Sequence, residues 1–287
     1  MTLPAILHRL RRLALGSLLA GAVLAGCKPA APVPLPEPLL RNEALARYNR
    51  NVLAIGPLRG ALAQWEARFV DPDGTVRHEE ELGGNLIYRP PAEPAQPPRF
   101  YLQANAPLKK ALVVGSNPDE YWVYSEWGEF GAWGRYENIG KPCNKDVRVH
   151  PLTFLEFLGL RPVPTDPLPA YKILPNDTVI EFIGLSDQGY SIQREIRLDR
   201  RTFLPTRITA FDPAGRPLLI SELSDYKTVG DALLPTRILL TWPQDDSFLR
   251  LHLTGLQPDP RDRSALFRRP RSLPDVPDYQ QIDKDCP

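Results

Sequence analysis

The chain has 287 residues, with 35 basic and 34 acidic side chains and a formal net charge of +1. That near-balance excludes partners held by bulk positive charge, namely nucleic acid and an anionic bilayer gripped through a polybasic patch. The length allows one large domain or two small ones, with a substantial core.

The N-terminal segment is basic, then apolar. Arg9, Arg11 and Arg12 precede a run of Leu, Ala, Gly and Val from Leu13 to Ala25. The run is long enough for a signal-peptide core and short for a bilayer span. It ends in Leu24-Ala25-Gly26-Cys27, which resembles the lipobox of bacterial lipoproteins. The resemblance implies a leader over 1–26, cleavage before Cys27 and diacylglycerol on its sulfur, with the new amine acylated too. Several acyl chains give stable anchoring where one is marginal. A signal-anchor with an incidental cysteine is the alternative. Three Arg and no acid leave with the leader, so the remaining chain is slightly negative.

Residues 27–38 form a linker, with prolines at 29, 32, 34, 36 and 38. Such a segment stays extended at about 3.1 Å per residue and acts as a spacer. Leu39 to Gly56 reads as an amphipathic helix. Leu40, Ala44, Tyr48, Val52 and Ile55 recur at helical spacing among charged residues, and Gly56-Pro57 ends it. From Leu58 the period becomes two. Trp65, Ala67 and Phe69 alternate with Glu66 and Arg68, Asp71-Pro72-Asp73-Gly74 makes a turn, and a second strand runs to Tyr88. Arg89 to Pro98 holds five prolines and cannot sit inside a sheet. Further strands follow over 100–104, 111–116 and 121–125. Pro151 to Leu160 is a short helix with Pro at its start, and Arg161 to Ala170 is a second Pro-rich loop.

The C-terminal part alternates most cleanly, as in Leu249, Leu251 and Leu253 against Arg250, His252 and Thr254. Leu204-Pro205-Thr206-Arg207-Ile208 recurs as Leu234-Pro235-Thr236-Arg237-Ile238. Two copies are too few for a solenoid, and successive hairpins of one sheet would produce them. These elements predict a mainly β, α+β fold. It is one strongly curved antiparallel sheet of about ten or eleven strands. The N-terminal helix and one or two short helices cover its concave face and enclose an apolar space.

Three stretches, in order, resemble the LolA/LolB-like superfamily of periplasmic lipoprotein carriers and acceptors. They are Ala44, Tyr48, Asn49, Asn51, Val52 and Ile55 on the first helix; Gly83 to Pro90, then Asn117 to Val123; and Leu234 to Ile238, with Ala265 to Pro270 closing. The resemblance covers roughly 40–270. It implies an unclosed antiparallel β-barrel, a half-barrel over 39–270, with a tail over 271–287 and a hydrophobic cavity that takes an acyl chain or lipoprotein cargo. By the family's sorting rule, Lys28 after the lipidated cysteine implies the outer membrane, with the domain facing the periplasm. The expected state is a monomer.

No catalytic constellation emerges, and neither a cofactor nor a metal is implied. His78, His150 and His252 are scattered without ligand spacing. Cys143 and Cys286 either pair, which would pin the tail to the middle of the domain, or remain free thiols. Gly128, Gly131 and Gly134 lack a following Lys-Ser/Thr, so they suit close ring packing rather than phosphate. The cavity candidates are Tyr48, Val52, Trp65, Phe69, Trp122, Tyr124 and Trp242, with Arg207 and Arg237 at its mouth for a head group. Trp122 and Tyr124 belong to an aromatic cluster running from Tyr121 to Tyr136. Filling a core is the alternative fate of those rings, and exposure on the outer face that of the two arginines.

Overall fold

The computed structural model describes residues 41–70, 74–81, 83–93, 96–107, 109–139, 141, 151–164, 169–186, 189–277 and 279–286. The leader, Cys27, the linker, most of the Asp71–Gly74 turn, His150 and Cys143 lie outside them.

Helix α1 (Arg41–Leu53) leads into β1 (Leu58–Val70), β2 (Val76–Glu81), β3 (Gly84–Arg89), β4 (Arg99–Ala106), β5 (Lys109–Ser116), β6 (Glu120–Ser125) and β7 (Phe130–Arg135). Helix α2 (Pro151–Phe157) follows. Then come β8 (Ala170–Ile173), β9 (Asp177–Ser186), β10 (Gly189–Asp199), β11 (Pro205–Phe211), β12 (Pro217–Val229), β13 (Ala232–Trp242), β14 (Ser247–Pro258) and β15 (Gln280–Gln281). Among the described residues these fifteen strands form one sheet, in the order β15-β7-β6-β5-β4-β3-β1-β14-β13-β12-β11-β10-β9-β8, with β2 paired to β1 alone. Among the described residues only β15 pairs in parallel. The edges β8 and β15 do not meet, so the barrel is unclosed, as expected.

The strand count exceeds the expectation for local reasons. Gly83 and Gly84, both at positive φ, split the expected second strand into β2 and β3. Strands β7, β8 and β15 are short and carry weak alternation.

The sheet has two wings. The chain enters at its centre in β1 and runs outward to β7, which with β15 forms one edge. It restarts at the opposite edge in β8 and returns to pair β14 with β1. The segment between β7 and β8 therefore links opposite sides of the sheet, and α2 lies in that crossover.

Alternation decides the faces. Leu223, Ile238, Leu251 and Trp65 stand opposite one another across four strands, and all are at most 4% exposed. One residue along, Ser224, Arg237, His252 and Gln64 form the matching outward row. The sequence echo obeys this register: Ile208 and Ile238 point in beside outward Arg207 and Arg237.

The convex face has its own cover. Val113, Trp122 and Tyr124 alternate with the inward Val114 and Val123, and they pack with Val276, Leu273 and Tyr279 of the tail. Residues 271–286 are thus a docked strap. Tyr279 meets Tyr124 edge-on, with ring centroids 6.3 Å apart. Ile282 N–H donates to the Trp133 carbonyl at 3.0 Å. The buried Asp283 accepts from the Arg135 backbone N–H and from the Asn138 amide, each at 2.8 Å. Gly131 makes room, since a Cβ there would stand 2.7 Å from the Tyr279 ring. At Gly134 a Cβ would meet the Tyr121 hydroxyl at 2.6 Å. The three spaced glycines serve ring packing. Cys286 is disulfide-bonded, and the expected partner, Cys143, lies outside the described residues.

Candidate functional site

The concave face is the candidate site, and α1 spans it. Ala44, Leu45, Tyr48, Val52 and Ile55 are buried, while Glu43, Arg47 and Arg50 stay outside. The Tyr-Asn-x-Asn stretch makes the attachments. Tyr48 donates its hydroxyl to the Arg161 carbonyl at 3.0 Å. The Asn49 amide pairs both ways with the Val163 backbone, donating at 2.9 Å and accepting at 2.8 Å. Asn51 does the same with Leu233 at the start of β13. Each asparagine imitates a strand neighbour and satisfies backbone groups that would otherwise be orphaned. Burial, then the Glu156 charge, raises the Tyr48 pKa, so its phenol stays protonated.

Helix α2 fills the space beneath. Phe154, Leu155, Phe157 and Leu158 are at most 2% exposed, and Leu160 and Val163 follow at 5% and 4%. Phe154 meets Phe100 with ring centroids 6.0 Å apart. The Ser221 hydroxyl caps the helix end by donating to the Phe157 carbonyl at 2.6 Å. One charge goes in with the helix. Glu156 is 7% exposed and pairs with Arg194, with Arg161 at 4.0 Å. The Arg194 guanidinium lies over the Phe182 ring at 4.0 Å.

The expected apolar space is therefore not open. The void left among Leu58, Leu86, Leu158, Leu160, Leu234 and Ile238 measures about 10 Å³. That is scarcely one water, against the hundreds of Å³ a ligand pocket needs. The plug has a signal in the sequence: Pro-Leu-Thr-Phe-Leu-Glu-Phe-Leu-Gly-Leu is apolar on nearly every side, the mark of a helix buried all round. The same stretch gives no sign that Glu156 meets Arg194.

The predicted site residues divide. Tyr48, Val52, Trp65 and Trp242 share the concave core. Trp65 donates its indole N–H to the Asn105 carbonyl at 2.9 Å. Phe69 packs against the same core, 5.9 Å from the Trp242 ring. Trp122 and Tyr124 do not line this face; strand alternation turns them to the convex side under the tail. Arg207 and Arg237 do not reach its mouth either. Their inward neighbours are Ile208 and Ile238, and Arg237 lies outside, paired with Asp225 at 2.8 Å. Among the described residues no group of three His, Cys, Asp or Glu gathers to hold a metal ion. No described helix is long and apolar enough to cross a membrane.

No protein-family model matches the sequence, and no curated protein matches it. Solved structures do match. A DUF1329 family protein from Desulfovibrio piger aligns with a TM-score of 0.50 at 13% identity, over 79% of this chain and 95% of its own. A domain described as an outer membrane lipoprotein-sorting protein, from Vibrio parahaemolyticus, gives 0.49 at 12%, over 79% and 97%. A LolA superfamily protein from Nitrosomonas europaea gives 0.48 at 10%, over 80% and 98%. What this chain shares with the Desulfovibrio piger structure, at 13% identity, is the fold.

Proposed function

We propose that this chain is a non-catalytic cell-envelope protein, anchored through lipid on Cys27, that takes an acyl chain of a lipid or lipoprotein into its concave face in place of α2. One observation carries the reading. The concave space is filled largely by one short helix on a crossover, not by the sheet alone. The exchange is close to balanced. Six buried apolar side chains of the α2 segment are worth about 1.5–3 kcal/mol each, roughly 9–18 kcal/mol together. An acyl chain of about sixteen carbons, at about 0.8 kcal/mol per buried CH₂, recovers about 13 kcal/mol.

The void of about 10 Å³ favours a second reading, a structural or protein-interaction lipoprotein whose core stays filled. Titration with a fluorescent fatty acid, followed by hydrogen exchange, separates the two. Saturable one-to-one binding that unprotects residues 151–163 supports carriage. Protection that stays unchanged at saturating fatty acid supports the filled core.

A further inference from the structure

A second pocket lies at the end of the sheet where β3, β4 and β14 meet. It measures about 240 Å³. Its walls come from the β3–β4 connection, the segment after β14 and the β5–β6 turn. Four prolines, Pro90, Pro91, Pro97 and Pro118, make those walls stiff. The charged groups in the wall are Arg89, Arg99 and Arg263 against one carboxylate, Asp262. Behind them Asp259 is 1% exposed. Its carboxylate accepts from Arg261 Nε at 2.9 Å and from Arg263 Nε at 3.0 Å, and Arg89 Nη2 lies 3.7 Å away.

This arrangement orients cations without neutralising them. Asp259 holds Arg261 and Arg263 by their inner nitrogens, and no terminal nitrogen of either has a partner among the described residues. Arg99 is exposed and makes no ion pair among the described residues. Arg89, by contrast, is fixed by the Tyr88 carbonyl at 2.9 Å and the Arg261 carbonyl at 2.6 Å. Burial pushes the Asp259 carboxyl up, but the Arg261 and Arg263 hydrogen bonds outweigh it and hold it well below the ordinary carboxylate range. Four arginines against two aspartates leave an excess of positive charge on a chain that is otherwise neutral. Forked guanidinium donors match tetrahedral oxyanions.

We infer that this pocket is an anion site for a phosphoryl group, with Arg99 and Arg263 as its principal donors. The site is separate from the concave face and does not depend on an acyl chain entering there. The chemistry is shared by a phospholipid head group and by a free phosphorylated molecule. Isothermal titration of the full chain in a non-ionic detergent tests it, with two probes. One is inorganic phosphate; the other is phosphatidylglycerol in mixed micelles, with diacylglycerol as its uncharged control. Either probe binding saturably, and losing at least tenfold in affinity in Arg99→Glu but not in Arg50→Glu on α1, supports the site. Phosphatidylglycerol alone assigns the head group; phosphate alone assigns a soluble ligand. Among the described residues the Arg99 side chain makes no hydrogen bond or ion pair, and only its field reaches Asp262, so its replacement leaves the fold in place. Binding of neither probe, or binding indifferent to Arg99→Glu, overturns the site.

Discussion

Trp65 shows how one side chain ties the centre of the sheet together. Its ring is 1% exposed and its indole N–H is satisfied by Asn105. Trp65→Ala should cost about 3–5 kcal/mol, read as a lower urea midpoint, through a large cavity. Glu156 and Arg194 act differently, because a nearly buried carboxylate meets a partly exposed guanidinium beside the plug. Glu156→Gln removes the charge partner of Arg194 and should destabilise the protein by about 1–2 kcal/mol. If α2 yields to cargo, the same variant should take up fatty acid faster than the parent in stopped-flow fluorescence. Asp283 governs the strap. Burial raises its pKa, but the Arg135 N–H and the Asn138 and Gln281 amides hold it below the ordinary value. A carboxyl depressed in the folded state stabilises above its unfolded pKa, about 3.9. That contribution is lost as pH falls through the folded value. Acid unfolding of Asp283→Asn should therefore lack the loss of stability below about pH 4 that the parent shows.

At the scale of elements, α1 was legible almost residue by residue. Its buried stripe holds the predicted Ala44, Tyr48 and Val52, with Ile55 buried just past its end at Leu53, three residues short of the expected Gly56. The same sequence does not reveal that Asn49 and Asn51 grip Val163 and Leu233, because those partners are brought close only by the crossover and the return wing. The strap was least legible. Leu273, Val276, Tyr279 and Ile282 sit among prolines and charges without a period. The clue lies elsewhere, in β6: Tyr121 to Ser125 is buried at every position, as a strand covered on both faces must be. Trp122 and Tyr124 face the tail and not the concavity, because aromatic richness marks burial and not direction. Gly131→Ala tests the strap directly. Its Cβ would crowd Tyr279 and Val276, and it should cost about 1–3 kcal/mol, with increased proteolysis within residues 271–286.

At the scale of the whole molecule, two antiparallel wings meet at β1 and β14, and the chain must cross between opposite edges to build both. That topology places α2 inside the concavity. It explains how an architecture expected to enclose an empty apolar space can be full. Strand alternation made the concave core readable, with Trp65, Phe69 and Trp242 inside it. What fills the core depends on where a long connection runs, which no local pattern records.

Replacement of α2 by an acyl chain would leave a mass signature. It is read by native mass spectrometry of the exported chain from residue 28, purified without detergent and offered a fatty acid or acylated peptide. One retained acyl equivalent is expected, lost in a Val52→Glu variant that circular dichroism shows to be folded. A bare mass at saturating ligand would contradict it and leave the filled-core interaction protein.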